Sequence, residues 1–484
     1  MTQESEKRQA CCEGLDEKDY LTLTPQERKR ELVRIQALID EDGQTPEQKA
    51  DLFFERGLLY WFAEEYAKAI VSYDKALEIK PDLHAAYYNR GIALDDLGRL
   101  EEARSSFDKA LEIKPDLHAA WNNRGSVLYN LGLFEEAIAS FDKTLEIQPD
   151  YYEAWFNRGC ALGNLGRLEE EIASYNKALE IQPDYDAAWN NRGIALGNLG
   201  RLEDAIASYD KALEIKPDYH VAGKNRGIAL SNLGRLEEGR SSYDKALEFK
   251  PDDDDEAWYY RGNALGNLER LEDAIASYDK ALEIKPDYHV AWYNRGIALA
   301  NLGRLEEAIA SYYKALEIKP DYHVAWYYRG NALGYLGRLE EAITSYNKAL
   351  EIKPDYDAAW YYRGISLGNL GRLEDAIASY NKALDIKPDD DAAWYHRGIA
   401  LYNLGRLEEA SSSYDKALEI NPDYHPAFYN KACCYALHGQ IDPAIQNLQQ
   451  AINLNPDECR EMAKTDSDFD SIRSHTRFQA LIQE

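Results

Sequence analysis

The sequence is poor in basic residues relative to acidic ones. Lysine and arginine together number 56 against 86 aspartates and glutamates, which leaves a formal net charge of −30 at pH 7. A surface this acidic repels phosphate backbones and anionic lipid headgroups. The composition therefore disfavours nucleic acid and membrane surfaces as partners, and it indicates charged helix faces in contact with water.

Long apolar runs and cysteine pairs are also missing. No stretch of about 18 apolar residues occurs, so we expect no membrane-spanning segment. The first residues contain no apolar segment of signal-peptide length. None of the six cysteines belongs to a C-x-x-C pair, a usage typical of neither a zinc site nor a disulfide framework. We therefore predict no metal and a reducing, cytoplasmic location.

Signatures of common catalytic sites are absent as well. We find no H-E-x-x-H, no G-x-x-x-x-G-K-[ST] and no G-x-S-x-G. Acidic pairs such as Glu306-Glu307 fall on what reads as the outer face of a helix, so we expect no carboxyl pKa to be raised by burial. These absences predict that the chain is not an enzyme and holds no cofactor.

A repeat of 34 residues dominates the sequence. A Pro-Asp dipeptide returns twelve times, and every interval is 34 residues except one of 35. Such a period indicates an array of one supersecondary unit. The prolines are Pro81, Pro115, Pro149, Pro183, Pro217, Pro251, Pro286, Pro320, Pro354, Pro388, Pro422 and Pro456.

The repeat that ends at Pro320 shows the pattern of a helical hairpin. In its second half, apolar residues from Leu305 to Leu316 are spaced by three and four positions, as on one face of an amphipathic helix. Its first half carries a shorter apolar stripe that includes Trp292. Gly303 stands where a left-handed residue would end the first helix, and the proline ends the second. Because one hairpin cannot bury both stripes, the pattern predicts stacking of neighbours.

These residues resemble the tetratricopeptide repeat, a 34-residue hairpin with a pattern of aromatic, small and proline positions. The resemblance covers roughly residues 46–456 and implies an all-α fold, a right-handed α-solenoid superhelix of antiparallel helix hairpins. The matching positions in the example repeat are Trp292, Gly296, Leu299, Ala308, Tyr312, Ala315 and Pro320.

One position departs from the family pattern in every repeat. The leucine that precedes the first-helix glycine is replaced by arginine in eleven repeats and by Lys431 in the twelfth. As a structural residue, this arginine would pair with acidic side chains of a neighbouring hairpin. As a binding residue, it would line the groove and hold acidic ligands. The identical placements favour the structural role. The arginines are Arg56, Arg90, Arg124, Arg158, Arg192, Arg226, Arg261, Arg295, Arg329, Arg363 and Arg397.

Both ends of the chain read as caps on the array. We predict that residues 1–23 are disordered and that a capping box at Thr24 and Glu27 opens a helix of about residues 25–41. Beyond the last repeat, apolar residues at helical spacing resemble the closing helices of other tetratricopeptide arrays. They are Phe469, Ile472, Phe478, Leu481 and Ile482. The predicted parts are an N-terminal segment with a capping helix, two groups of six repeats and C-terminal capping helices, at residues 1–44, 45–251, 252–456 and 457–484.

The sixth and seventh repeats carry several departures close together. Gly223 replaces the first-helix aromatic, a loss that costs about 3–5 kcal/mol in ordinary cores. Gly239 replaces the small alanine of the second helix, and Glu269 takes a left-handed glycine position. One interpretation is a softer joint near residues 217–275. The other is neutral drift in a long array.

The resemblance implies that the first helices line a concave groove and that the residues just after the aromatic point into it. The second of these is asparagine in five consecutive repeats, similar to the asparagine ladder of the O-GlcNAc transferase repeats, which holds the backbone of an extended peptide. An amide both donates and accepts hydrogen bonds, as a peptide unit does. Alternatively the amides face water or bond within the array. The residues are Asn89, Asn123, Asn157, Asn191 and Asn225.

Tyrosine takes over the same positions in the later repeats. Exposed tyrosine offers contact area with a polar tip and is enriched at binding hot spots. These repeats therefore predict a second, aromatic part of the groove, although tyrosine is also common in repeats of this kind. The residues are Tyr259, Tyr260, Tyr293, Tyr327, Tyr328, Tyr361, Tyr362 and Tyr395, with Asn294 persisting among them.

Together these features predict a cytoplasmic scaffold or adaptor that binds an extended segment of a partner protein in the concave groove. An assembly chaperone for a multi-subunit complex would use the same groove. The recognition subunit of a separately encoded enzyme would co-purify with its catalytic partner. Binding of RNA, by analogy with helical repeats that read one base each, is disfavoured by the charge. Partner, pathway and oligomeric state all stay open at this point.

Overall fold

The computed structural model describes residues 23–250 and 252–483, and these residues are helical almost throughout, with no strand among them. Helix α1 (Pro25–Asp40) precedes twelve hairpins, which we number as repeats 1 to 12. The first helices are α2 (Pro46–Phe62), α4 (His84–Asp96), α6 (His118–Asn130), α8 (Tyr152–Asn164), α10 (Asp186–Asn198), α12 (His220–Asn232), α14 (Asp255–Asn267), α16 (His289–Asn301), α18 (His323–Tyr335), α20 (Asp357–Asn369), α22 (Asp391–Asn403) and α24 (His425–Leu437).

Each first helix packs against a second helix of similar length, which confirms the predicted all-α hairpin fold. The second helices are α3 (Tyr66–Ile79), α5 (Leu100–Ile113), α7 (Phe134–Ile147), α9 (Leu168–Ile181), α11 (Leu202–Ile215), α13 (Leu236–Phe249), α15 (Leu271–Ile284), α17 (Leu305–Ile318), α19 (Leu339–Ile352), α21 (Leu373–Ile386), α23 (Leu407–Ile420) and α25 (Ile441–Leu454).

Helix α1 begins at the predicted capping box. The Thr24 hydroxyl accepts from the backbone N–H of Glu27 at 3.3 Å, and the Glu27 carboxylate accepts from the backbone N–H of Thr24 at 2.8 Å. These reciprocal bonds satisfy two amides that the helix leaves open. The helix ends at Asp40, one residue before the predicted end. The predicted disordered segment, residues 1–23, lies outside the described residues except for Leu23, as do Cys11 and Cys12.

The turns within repeats follow from left-handed residues at the ends of the first helices. Gly303 has a φ of 75°, as its place in the pattern predicted. Glu269 has a φ of 59° and Glu64 a φ of 60°, so two repeats hold a glutamate in this strained region. The turns between repeats are fixed by the tryptophans, because the Trp121 indole N–H donates to the carbonyl of Pro115 at 2.9 Å.

The two helices of a hairpin approach closely at one glycine. A Cβ built at Gly296 would lie 2.5 Å from the ring of Tyr312, which is fully buried. Only a residue without a side chain lets the second-helix aromatic ring rest on the first helix at this point. The glycine and the aromatic ring of the family pattern are therefore a matched pair in repeats 1 to 11, whereas repeat 12 has Ala432 and Leu448 at these positions.

The recurrent arginine ties adjacent repeats together, which confirms its predicted structural role. Arg124 donates from Nε to Asp108 on the preceding repeat and from Nη1 to Ser140 on its own second helix, both at 2.6 Å. The acceptor on the preceding repeat is an asparagine for some members. The same two contacts are made to aspartate by Arg90, Arg158, Arg226 and Arg295, and to asparagine by Arg192, Arg363 and Arg397.

The chain forms two compact units that meet in sequence between Phe249 and Lys250. The first unit holds α1 and repeats 1 to 6, and the second holds repeats 7 to 12 and the C-terminal cap. Within each unit, every second helix packs on the first helix of the next repeat. The apolar stripes are thereby buried between neighbours rather than in one central core.

The C-terminal segment covers the last hairpin of the second unit. Pro456 is the first residue of α26 (Pro456–Thr465), so the last proline of the series begins a helix instead of a turn between repeats. A short 3-10 helix (Ser467–Phe469) and α27 (Thr476–Gln483) follow. Phe469 and Phe478 are fully buried against the last repeat, as a cap requires.

Candidate functional site

The predicted asparagine ladder is largely engaged in bonds between repeats. Asn123 donates to the hydroxyl of Tyr88 at 3.1 Å, and Asn225 donates to the side-chain carbonyl of Asn190 at 3.2 Å. Asn191 donates to the Cys160 sulfur at 3.8 Å. These amides join neighbouring first helices, which is the bonding within the array that the sequence left as an alternative.

Asn89 and Asn157 are the two extremes of the ladder. Asn89 is 2 % exposed, and its amide donates to the carbonyl of Ala85 one turn earlier on its own helix. Asn157 is half-buried, and its side-chain amide makes no hydrogen bond to another residue of the described ranges. Its amide lines a cavity on the first helices instead. Asn157 is therefore the ladder residue best placed to meet a ligand.

The predicted tyrosines of the second unit form a connected series of rings. The tyrosines directly after the tryptophans are half-buried and pack on the second-helix tyrosine of their own repeat; the Tyr293 and Tyr312 rings are 6.1 Å apart. The same packing holds for Tyr259, Tyr327, Tyr361 and Tyr395.

The tyrosines one position further on reach solvent. Tyr328 is 36 % exposed and Tyr362 is 37 % exposed, whereas Tyr260 is half-buried beside Tyr259. Asn294, at the equivalent position in repeat 8, donates to the Tyr259 hydroxyl at 3.1 Å. The second unit thus presents two exposed rings among the predicted residues, and the other predicted rings are half-buried against neighbouring aromatic rings.

A cavity of about 620 Å³ runs along the first helices of repeats 1 to 4. It is open on one side, and its wall combines aromatic rings, amides and carboxylates. Asn123 and Asn157 are the two predicted site residues that line it. The wall also includes Trp61, Glu64, Asp95, Asp96, Asn122, Tyr129, Glu153 and Phe156.

Asn122 is a lining residue that the sequence reasoning missed. Its side chain is 5 % exposed, and its carbonyl oxygen has no hydrogen-bond donor among the described residues. A buried acceptor without a donor is uncommon in folded proteins and costs about 1–3 kcal/mol. The predicted ladder used the second position after the aromatic, whereas this residue occupies the first.

Glu171 contradicts the expectation that no carboxyl pKa is raised. The residue stands where the other repeats have alanine or, in repeat 6, Gly239 on the second helix, and it is 7 % exposed. Burial in this contact raises the pKa of Glu171 to about 7, and a hydrogen bond with Tyr175 opposes the shift. The departure from the alanine pattern was the signal available in the sequence.

A second unpredicted cluster lies at the C-terminal cap. Cys433, Asp466 and Asp468 place possible metal-ligand atoms within 4.8 Å of one another, although the sequence predicted no metal site. The Tyr429 hydroxyl donates to Asp466 at 2.9 Å, and the Tyr402 hydroxyl donates to Asp468. These bonds dock the cap on helices α22 and α24. The absence of a metal from the protein stays a prediction.

In the described part of the chain, no helix combines the length and the apolar character that crossing a bilayer requires. The cysteines found there are free thiols, namely Cys160, Cys433, Cys434 and Cys459. Burial raises the pKa of the Cys160 thiol, so this group is not an activated nucleophile.

Family models match most of the repeats. The matching models are described as TPR repeat or as tetratricopeptide repeat. Those of the first description match residues 63–95, 330–371 and 369–405. Those of the second match residues 84–117, 122–186, 187–219, 225–253, 255–288, 289–322, 392–424 and 413–446.

Relatives and solved structures resemble parts of the chain. An uncharacterized protein of Methanocaldococcus jannaschii is 38 % identical over 57 residues, and the match spans 12 % of this chain and 66 % of that protein. YrrB, described as a TPR protein with an unusual peptide-binding site, is 27 % identical with a TM-score of 0.36, over 40 % of this chain and 98 % of that one.

The Cut9-Hcn1 hetero-tetramer of the APC/C provides a chain that is 17 % identical with a TM-score of 0.37, over 91 % of this chain and 93 % of that one. MamA is 22 % identical with a TM-score of 0.33, over 33 % of this chain and 94 % of that one. At TM-scores below 0.5, these structures indicate nothing about the partners of this chain.

Proposed function

The chain belongs to the tetratricopeptide repeat family, and we propose that it is a non-catalytic scaffold that binds an extended segment of a partner protein along its first helices. Arrays of this family serve protein–protein interaction, which is the coarse function. The observation that supports the finer proposal is the open cavity along helices α2, α4, α6 and α8, with the Asn157 amide on its wall.

The spacing of the first helices suits an extended chain. Packed helices lie about 8–10 Å apart, and an extended peptide advances about 3.3 Å per residue. Each repeat would then meet about every third residue of the segment. The Asn157 amide can donate to a peptide carbonyl and accept from a peptide N–H at the same time.

The exposed rings of the second unit provide a separate contact surface in this proposal. Tyr328 and Tyr362 occupy the equivalent position in consecutive repeats, so their rings meet a bound segment at a regular interval. Tyrosine buries a large area with few rotatable bonds, which keeps the entropy loss on binding small.

The proposed location of the protein is the cytoplasm. The buried free thiols Cys433 and Cys434 support this proposal, because they fit a reducing compartment.

The proposal is tested by capture of partners on the full chain with two asparagine variants. Asn157→Ala removes an amide on the cavity wall. Asn225 occupies the equivalent position in repeat 6, and Asn225→Ala removes an amide that is bonded to Asn190. We expect Asn157→Ala to lose the captured protein and Asn225→Ala to retain it, with circular dichroism unchanged for both. A photo-crosslinking residue at position 157 should join the partner through one short segment.

Equal capture by both variants and the wild type would contradict a role for the amide in the cavity. Crosslinks spread over the whole surface of a folded partner would favour the assembly-chaperone alternative.

A further inference from the structure

We propose that the cavity along repeats 1 to 4 binds a cationic side chain, an arginine of the partner segment. The inference deepens the proposed function, since it names the chemistry of the ligand at that site. It rests on four acidic residues that depart from the repeat, on a buried acceptor and on the aromatic rings beside them.

The acidic residues of the cavity are exceptions within a nearly uniform array. Asp95 stands where the other repeats have a small residue or an aromatic one, and Asp96 where most have asparagine. Glu153 stands where its neighbours have alanine, and Glu64 replaces the left-handed glycine that ten repeats share. All four line the same cavity. General surface acidity does not explain this, because it would be spread over all repeats.

The charge of the lining has one sign. Four acidic residues line the cavity, and no lysine, arginine or histidine is among the described residues that line it. Glu153 is 6 % exposed, so a cation that reaches its carboxyl group interacts with it through an interior of low dielectric rather than through water. A cation that enters the cavity is therefore attracted more strongly than one on the outer helix faces.

The aromatic part of the wall fits the same ligand. Trp61 lines the cavity and donates its indole N–H to Asp96 at 2.8 Å, which places a ring next to a carboxylate. Tyr129 and Phe156 add two more rings. Cations bind over the faces of such rings. Cation–π contacts of this kind recur within the array; the Arg124 guanidinium, for example, lies 5.6 Å from the ring centroid of Trp121.

The buried acceptor on Asn122 favours arginine over lysine. Asn122 lines the cavity, and its side-chain carbonyl oxygen lacks a donor among the described residues, so an N–H of a bound ligand would satisfy it. Guanidinium offers five N–H donors in one plane, enough for this oxygen and for carboxylates that line the same cavity. An ammonium group offers three donors from a single point.

The test uses two synthetic peptides and three forms of the full chain. One peptide alternates arginine and serine, and the other has citrulline, the uncharged isostere, in place of arginine. The cavity variant combines Asp95→Ser, Asp96→Asn and Glu153→Ala, which are residues found at these positions in other repeats. The matched control combines Glu101→Gln, Glu135→Gln and Glu169→Gln at exposed positions of the second helices. It changes the net charge by the same amount as the cavity variant and leaves the cavity unaltered.

Calorimetry at fixed ionic strength measures the ratio of the two dissociation constants for each protein. We expect the wild type and the matched control to bind the arginine peptide about tenfold or more tightly than the citrulline peptide, as desolvated charge pairs do. The cavity variant should lose this preference while its circular dichroism spectrum stays the same. Asp96→Asn alone, which keeps an acceptor for the Trp61 indole, should lose part of it.

An arginine preference that survives in the cavity variant, or that falls equally in the matched control, would overturn the inference. So would a wild type that binds neither peptide. If the wild type binds both peptides equally and Asn157→Ala weakens both, the inference fails and the proposed groove function stands. Failure of the proposed function is seen separately, as capture that does not depend on Asn157.

Discussion

Filling the space beside Gly223 should stabilise the sixth repeat. The missing first-helix aromatic leaves a cavity of about 430 Å³, whose wall includes Pro217, Tyr219 and His220. Phe249 also borders it and is 50 % exposed. Gly223→Trp would place an indole where most other repeats already hold one. Its Cβ would lie 3.2 Å from the Ala246 Cβ, a tight contact that a shift of a few tenths of an ångström relieves.

The expected gain follows from two contributions. A fully buried aromatic contributes about 3–5 kcal/mol, and the equivalent tryptophans are half-buried, so we take about half of that. Replacing a glycine inside a helix adds about 0.5–1 kcal/mol. The free energy of unfolding of this repeat should therefore rise by about 2–3.5 kcal/mol.

A glycine one turn away provides the opposite case. A Cβ at Gly227 would lie 2.5 Å from the ring of Tyr243, which is fully buried. Gly227→Ala should therefore destabilise the repeat by about 1–2 kcal/mol, because overpacking outweighs the gain in helix propensity. The two substitutions lie on the same helix, and their expected effects on the free energy of unfolding are opposite in sign.

Native-state hydrogen exchange on α12 and α13 is the assay, because an array opens locally and a global melting curve averages over repeats. Urea denaturation of the full chain is a second readout. Slower exchange in Gly223→Trp and faster exchange in Gly227→Ala would match the reasoning. Unchanged or faster exchange in Gly223→Trp would refute it, since the cavity would then not be a packing defect.

Three further predictions concern single contacts. Glu171→Ala should stabilise the protein by about 1–3 kcal/mol near neutral pH. The pKa of Glu171 is raised to about 7 in the folded protein, so the wild type loses stability relative to the variant as pH rises from about 4.5 to 7. Tyr313→Asp should stabilise by about 0.5–1 kcal/mol, because Arg329 Nε is buried without an acceptor where other repeats supply aspartate. Arg124→Ala should cost about 1–2 kcal/mol and Arg99→Ala, an exposed helical pair, less than about 0.5 kcal/mol.

Denaturant unfolding measures all three effects, at several pH values for Glu171→Ala. A wild type and a Glu171→Ala variant with the same pH profile would show that the carboxyl is in contact with water. Destabilisation by Tyr313→Asp would mean that the tyrosine ring itself packs usefully on the outer face. Equal losses of stability for the Arg124 and Arg99 substitutions would show that the arginine contacts between repeats contribute no more than an exposed ion pair within one helix.

The sequence alone determined the fold class and the design of each repeat. A period of 34 residues, stripes at helical spacing and prolines at fixed places are local features, and each acts within one hairpin. Gly303, Pro320 and the capping box at Thr24 were therefore predictable, since backbone conformation there depends on the residue itself. The pairing of the recurrent arginine was predictable in kind, because a guanidinium inside an array needs acidic partners.

The tertiary structure decided which side chains remain available for binding. Asn89, Asn123 and Asn157 hold the same position in consecutive repeats, yet the first is buried, the second bonds to a tyrosine and the third lines a cavity. These three environments differ because each asparagine meets different residues on the first helix of the adjacent repeat, about 30 positions away in the sequence.

Spacing along one chain says which face a residue occupies but not what the adjacent repeat places against it. For the same reason, four scattered acidic exceptions became one cavity wall only when the first helices were set side by side.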